Sequence, residues 1–240
     1  MKKVCVLLLL LAAGFVGAFK GKDGDFTVTG NQVVNYFTGL TAVNTVGGVT
    51  LTVSNINDLN DIAAIYNTAA LSTGDLIMLY QSQGAGFADN GNTATYGTFN
   101  LNSAGRYEIY EVISVAGNDV VVAENGTLCN SNSLIYTYDL PLTQVIRVPQ
   151  FENLTVNGGD SIITTAWNGS RGGVVAIDVN VTLTVNGEIT AAAGGFRGGV
   201  IENQTTGAGT DVTLYRGAAE ANGAEKGESI LGFQAVYNAN

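Results

Sequence analysis

The sequence predicts an all-β protein: a small β-barrel or sandwich, followed by the start of a right-handed parallel β-helix, a solenoid. Three observations predict it. Glycine supplies 32 of 240 residues, proline only 2, and charged residues 12%. Short β-branched runs are therefore punctuated by Gly and Asn, while the Glu, Lys and Leu of long amphipathic helices are scarce. The pentapeptide Leu-Thr-Val-Asn-Gly also occurs twice, at 154–158 and again at 183–187, and repetition at fixed spacing marks a chain that coils on itself.

Residues 1–18 read as a signal peptide. Lys2 and Lys3 precede the apolar run Val4–Leu11, and Val16 and Ala18 suit cleavage before Phe19. The run is short for a bilayer span of ~20 residues, so no transmembrane segment is expected once it is removed. Cys5 lies inside the run, which does not suit lipoprotein processing. Removal takes Lys2 and Lys3 from ten basic residues and none of twenty acidic ones, leaving a net charge of −12. That acidity argues against nucleic acid, whose affinity rests on Lys and Arg neutralising phosphates, and against anionic lipid. Cys129 is then the one remaining cysteine, so no intrachain disulfide forms and stability must come from a core.

Residues 19–148 are expected to form the barrel- or sandwich-like domain. "KDGDF" at 22–26 sets Asp23 and Asp25 around a glycine, but "TVTGNQV" lacks the later ligands of a calcium loop, and a flexible leader is expected. In "GGVTLTVSN", Val49, Leu51 and Val53 alternate with Thr50 and Thr52 as in a half-buried strand. "NDLNDIAAIYNTAAL" predicts one short helix capped by Asn57. Leu76 to Tyr80 is continuously apolar, a strand covered on both faces. Residues 84–105 read as a long exposed loop, and "RYEIYEVISVAGNDVVVAENG" as a hairpin around Gly117-Asn118-Asp119. Two further strand candidates flank Pro141.

Residues 149–240 are expected to be the helix-like segment with an irregular Gly-rich tail. Strand candidates are Leu154–Val156, Ser161–Thr164, Val174–Val179, Thr182–Val185, Glu188–Ala191 and, in the tail, Val212–Tyr215. The alternation from Ile177 to Val185 fits one long strand of a sandwich, or two solenoid faces with a corner at Asn180. Asn-Gly between apolar residues is a hairpin signal. A hairpin does not explain why the preceding Leu-Thr-Val recurs, which favours a coil with Asn157 stacked on Asn186.

The chain contains no histidine, which removes His-based acid–base chemistry, Ser-His-Asp triads and His metal sites. Asp178, Glu188 and Asp160 are the acids that a glycosidase-like pair would draw on, and an outward polar face is the simpler account. "GSRGGV" and "AAAGGFRGGV", with Arg171 and Arg197, lack the Lys-Ser/Thr of a phosphate loop and read as tight corners. Asn-x-Ser/Thr triplets at Asn125, Asn153, Asn168, Asn180 and Asn203 follow from composition. Tyr80, Tyr96, Tyr107, Tyr110, Tyr136 and Tyr138 are either sugar or protein platforms or cross-strand packing pairs. No catalytic, cofactor-binding or metal-ligating residue is assigned, and no cofactor is expected.

The runs "TGDLIMLYQSQGA", "YEIYEVISVAGNDVVV", "QVIRVPQFENLTVNGGDSIITTAWNGSRGGVVAIDVNVTLTVNGEI", "GGFRGG" and "EKGESI" resemble the N-terminal region of large exported bacterial adhesin-like or gliding-motility-associated surface proteins. The resemblance covers about Val33 to Ile230. It implies surface location and a structural role, with no defined catalytic residues to carry over. The expected function is a secreted, non-catalytic cell-surface module with a structural or adhesive role, its partner a cell-surface glycan or protein. The alternatives are a polysaccharide lyase or hydrolase on the β-helix, or a self-associating extracellular fibre subunit.

Overall fold

The computed structural model describes residues 20–44, 49–61, 63–66, 70–87, 94, 97–124, 134–198 and 227–231. The expected signal peptide at 1–18, Tyr96, Asn125, Cys129, Asn203 and the strand candidate at 212–215 lie outside the described residues. Among the described residues, fourteen strands follow one another: β1 (Gly24–Val28), β2 (Asn31–Val33), β3 (Tyr36–Asn44), β4 (Val49–Val53), β5 (Leu76–Gln81), β6 (Gly86–Phe87), β7 (Phe99–Asn100), β8 (Tyr107–Ala116), β9 (Asp119–Glu124), β10 (Thr143–Val148), β11 (Gln150–Val156), β12 (Ser161–Ile163), β13 (Asp178–Val185) and β14 (Glu188–Thr190).

Six of them close an antiparallel barrel in the order β10-β3-β4-β9-β8-β5. Its interior is filled by Leu51, Leu59, Ile77, Leu79, Val112 and Val145, all fully buried, so the barrel is a packed core. Val49, Leu51 and Val53 point inward and Thr50 and Thr52 outward, as their alternation predicts. The β8–β9 hairpin turns at Gly117 (φ +60°), with Ala116 opposite Asp119. β5 is covered on both faces: Ile77 and Leu79 enter the barrel, while Leu76 and Met78 meet Ile146, Val148 and Val174 outside it. The helix expected from Asn57 onward is instead one 3-10 turn, Ile56–Leu59, capped by Asn55. Asp61 explains the early stop. Its carboxylate accepts the backbone N–H groups of Ile65 and Tyr66 and the Tyr36 hydroxyl, bending the chain away. Within 84–105, β6 and β7 form a short antiparallel pair.

The other strands build two parallel sheets, β1-β11-β13 and β14-β12-β2. They stack as three strand–turn–strand tiers. Phe26 aligns with Leu154 and Leu183, Val28 with Val156 and Val185, and Gln32 with Ile162 and Ile189. The first tier is β1–β2, so Gly24–Val33 pair with strands beyond Pro149 rather than with the barrel among which the sequence reading groups them. The barrel is an insertion between the first and second tiers. Asp23 and Asp25 are no flexible leader: the Asp23 carboxylate accepts the Gln150 N–H at 2.7 Å, and Asp25 accepts from Asn153 at 2.7 Å. Of the alternating stretch, Asp178–Val185 forms one strand, β13, whose pairing shifts register between the partners Phe151 and Asn153, beside Asn180.

The repeated Asn-Gly turns join the two strands of one tier, which lie in different sheets, rather than closing hairpins. The N–H groups of Asn186 and Gly187 both donate to the Val156 carbonyl below, at 2.8 and 3.1 Å. A Cβ on Gly187 would press into the carbonyl oxygens of Asn157 and Asp160. Glycine is required there by close backbone approach.

Tyr66 packs against side chains of the first two tiers. It lies edge-on to Phe151 at 5.5 Å and to Phe26 at 6.3 Å, and burial raises its phenol above the ordinary range. The β13 end is open, with Val181, Leu183 and Val185 63, 49 and 45% exposed. Among the described residues no helix is long and apolar enough to cross a membrane.

Candidate functional site

The barrel and the tiers meet along a seam formed by residues 164–177, the crossing between β12 and β13. Two buried amides fasten this crossing to the barrel. Gln144 accepts the Gly172 N–H at 2.9 Å and donates to the Gly172 carbonyl at 3.3 Å and to Ser82 at 3.0 Å. Asn35 accepts the Ala176 N–H at 2.9 Å and donates to the carbonyls of Ala176 and Arg147. Gly172 and Gly173 have φ of +100° and +75°. A Cβ on Gly172 would stand 2.6 Å from the Ala166 carbonyl oxygen, so the crossing lies flat only with glycine there.

Beside this flat corner the seam carries a trough of two neighbouring cavities of about 350 and 120 Å³, with Tyr80 and Gly173 lining both. The larger is floored by Met78, Tyr80, Tyr107 and Gly173–Val175, the smaller by Tyr80, Ser82, Trp167, Gly172 and Phe196. Trp167 is almost fully buried and meets Phe196 edge-on at 5.6 Å. Tyr107, 60% exposed, also lines a further cavity of about 520 Å³, where the Arg106 guanidinium sits 4.8 Å above the Tyr136 ring. Tyr136 and Tyr107 thus share one cavity, Tyr107 and Tyr80 the next, and Tyr80, Trp167 and Phe196 the third. Ring faces are apolar and, with a hydroxyl at the edge, suit the CH-lined faces of sugar rings.

A second groove of about 690 Å³ lies between β2–β3 and the crossing. Asn31, Gln32, Asn35, Asp58, Asn168 and Arg171 are among its lining. Here Arg171 pairs with Asp58 at 3.4 Å, both partly exposed.

The sequence-derived candidates scatter. Asp178 opens β13 beside Gln150, and Glu188 opens β14 beside Ser161; a strand and a turn separate them. Asp160 accepts the Gly30 N–H at 2.7 Å and holds the turns of the first two tiers together. Arg197 grips Glu228 at 2.6 Å; its hydrogen bonds hold the Glu228 carboxyl below the ordinary range. Neither arginine stands in an open anion cradle, and their glycine runs are tight corners. Asn153 and Asn180 bond Asp25 and Glu152, and Asn168 folds back on the N–H groups of Ser170 and Arg171. Tyr110 and Tyr138 are buried in the barrel. Sequence reasoning missed Trp167 and Phe196, although the interval between them equals that from Leu154 to Leu183 and marked them as equivalent corners.

No protein-family model and no curated protein matches the chain. Among solved structures it is similar to three phage tailspikes. The tailspike gp49 of Pseudomonas phage LKA1 is 15% identical with a TM-score of 0.26, over 57% of this chain and 22% of that one. The Gp54 tailspike of Acinetobacter baumannii bacteriophage AP22, solved in complex with A. baumannii capsular saccharide, is 14% identical with a TM-score of 0.24, over 69% and 24%. The gp61 tailspike of Pseudomonas phage phi297 is 15% identical with a TM-score of 0.23, over 68% and 19%. The chain thus spans about a fifth to a quarter of the length of these tailspikes.

Proposed function

We propose that this chain is an exported, non-catalytic cell-surface module that holds an extended glycan in the seam trough. In this reading the three tiers are the start of a right-handed parallel β-helix, and the inserted barrel supplies one wall of the binding site. The observation that carries it is the set of rings Tyr107, Tyr80, Trp167 and Phe196, which line two neighbouring cavities on the seam. The two cavities are lined by aromatic, apolar and glycine residues with the Ser82 hydroxyl. Such a lining stacks and orients a sugar ring and carries no carboxylate pair of the kind glycoside hydrolysis uses.

The test is a glycan panel probed with the purified mature chain, followed by calorimetry on any hit. Tyr107→Ala and Phe196→Ala, both at partly exposed positions, are expected to weaken binding by ~10-fold or more, since base–aromatic and ring stacking elsewhere is worth about 1–3 kcal/mol per ring. Their melting temperatures should stay near that of the parent. Binding that ignores both substitutions would remove the trough from the reading, and turnover of a bound glycan would overturn the non-catalytic assignment.

A further inference from the structure

The groove between β2–β3 and the crossing plays no part in the glycan reading, and its lining differs from that of the trough. The side chains of Thr29, Asn31 and Thr165 and the Asn168 amide nitrogen line it and make no hydrogen bond among the described residues. The Tyr36 ring joins them in the lining. We propose that this groove is a second binding site, which takes a sugar bearing a carboxylate, a uronate, with Arg171 holding the charge. The inference does not rest on the trough.

Arg171 differs from the other cations that have partners in the described chain. Lys22 and Arg147 share Asp75, whose carboxylate is 2% exposed, Arg197 grips Glu228 at 2.6 Å, and Arg106 lies over the Tyr136 ring. Arg171 meets Asp58 through Nη1 alone, at 3.4 Å, with both side chains about a third exposed. Its Nε and Nη2 donate to nothing among the described residues. Such a guanidinium still has donors for a carboxylate, and its planar fork suits one. The glycines beside it form a tight corner and no backbone cradle, so the contact is made by the side chain. That side chain is presented by a corner already locked. Asn168 Oδ1 accepts the Ser170 and Arg171 N–H groups, the Asn168 N–H donates to the Arg171 carbonyl at 3.0 Å, and Gln144 holds Gly172. A preformed site loses less on binding.

The rest of the lining names the ligand class. Sugar hydroxyls donate and accept, as the Asn and Thr side chains do, and the CH-lined face of a sugar suits a tyrosine ring. A bare anion would leave those groups unused, and a neutral sugar would leave the guanidinium unused. The groove volume of about 690 Å³ lies within the range of about 300–1,000 Å³ usual for small-molecule sites. With a net charge of −10, the chain does not draw anions from a distance, so recognition rests on contact. Asp58 tunes that contact. Its Oδ1 accepts from Asn55 at 2.8 Å and its Oδ2 from Arg171, which keeps it beside the guanidinium, in competition with an incoming carboxylate.

The test is calorimetry of the purified chain with trisaccharides of glucuronate, galacturonate, mannuronate and guluronate, and with their methyl esters. At least one uronate is expected to bind ~10-fold or more tightly than its ester, which keeps the ring hydroxyls and loses the charge. Arg171→Gln should abolish that preference, and Asp58→Asn should tighten uronate binding severalfold. The ester comparison needs no variant, so it decides even if Arg171→Gln fails to fold. Equal binding of uronate and ester, or binding of none of the four, would overturn the proposal. So would a preference that survives Arg171→Gln, or uronate binding that weakens in Asp58→Asn. Inorganic sulfate bound as tightly as the uronates would also overturn it, leaving an anion contact without a sugar site. Uronate binding lost in Tyr107→Ala but kept in Arg171→Gln would move the ligand to the trough, overturning this inference while the glycan reading stands.

Discussion

Phe26 and Phe151 stack face to face, their ring centroids 5.0 Å apart and their planes 15° from parallel, although the entire barrel lies between them in the chain. The insertion is geometrically simple because the barrel's two ends are neighbours: Tyr36 pairs with Arg147 across β3 and β10. The chain leaves the first tier at Val33 and re-enters the second at Gln150. An insertion whose ends already meet leaves the host stack undisturbed, and its contacts tie tier and barrel into one unit.

Phe151→Ala is therefore expected to destabilise both parts at once. Phe151 is fully buried, stacks on Phe26 and meets Tyr66 edge-on, and truncating such a ring costs about 3–5 kcal/mol. Urea unfolding followed by fluorescence of Trp167, the chain's one tryptophan, and by far-UV circular dichroism should show one coincident transition at a lower midpoint. If the Trp167 signal shifts while the dichroism midpoint stays, the tiers and barrel unfold separately and the single-unit account fails.

The two Asn-Gly turns are expected to respond differently to the same change. A Cβ on Gly187 would collide with the carbonyls of Asn157 and Asp160, whereas one on Gly158 meets nothing closer than the Asn186 carbonyl at 3.8 Å. Gly187→Ala should cost about 1–3 kcal/mol by overpacking. Gly158→Ala should stay within about 0.5 kcal/mol. Equal melting temperatures for the two variants would refute the close approach of the second and third tiers.

How much of this was legible in the sequence depends on the range of the contacts involved. Alternation in Val49–Val53, the apolar run of β5 and the β8–β9 hairpin are local patterns, and each appears where it was read. The two Leu-Thr-Val-Asn-Gly copies lie side by side in parallel strands, β11 with β13, and close no hairpin. The first tier was hidden because its copy, Phe26-Thr27-Val28-Thr29-Gly30, keeps only the Thr, Val and Gly of the repeat. Its partners also lie beyond an insertion that no local pattern announces. The helix expected from Asn57 onward failed because the side chain of Asp61 competes for the backbone N–H groups of Ile65 and Tyr66. The trough could not be read from Tyr80 or Tyr107 alone; it lies beside the flat corner that the distant glycines at 172 and 173 form.

Glu111 should make the fold more stable as acid is added, in a limited window. Its side chain is buried on β8 with Oε1 lacking a hydrogen-bond partner. Burial holds the carboxyl above the ordinary carboxylate range, with Lys22 pulling the other way. The folded chain then takes up a proton at higher pH than the unfolded chain, so the charged form is a cost near neutrality and the cost disappears as pH falls. Glu111→Gln should raise stability near pH 7 by about 1–3 kcal/mol, the cost of an unsatisfied buried group. The difference between variant and parent should shrink towards about pH 4. Comparing the two at each pH cancels the opposite trend of Glu228, whose depressed carboxyl loses its contribution as acid is added. A gain that is flat with pH would show that Glu111 is not the titrating group.

Two ion pairs of similar geometry should differ severalfold in worth, because one is buried and the other is not. Asp75 meets Arg147 at 3.3 Å and Lys22 at 2.6 Å; Asp75 and Arg147 are 2 and 1% exposed. Asp58 meets Arg171 at 3.4 Å, with both side chains about a third exposed. Asp75→Asn would leave the Arg147 guanidinium buried without this carboxylate, a change that costs about 3–5 kcal/mol because the charge cannot recover its hydration. Asp58→Asn leaves Arg171 within reach of water and should cost under about 1 kcal/mol. Salt separates the cases further: screening acts on the exposed pair and barely reaches the buried one. Urea midpoints of the two variants, at low and at molar salt, provide the measurement. A small, salt-sensitive loss for Asp75→Asn would mean that water reaches the junction of barrel and tiers, and that Lys22, Asp75 and Arg147 do not form a dry joint between them.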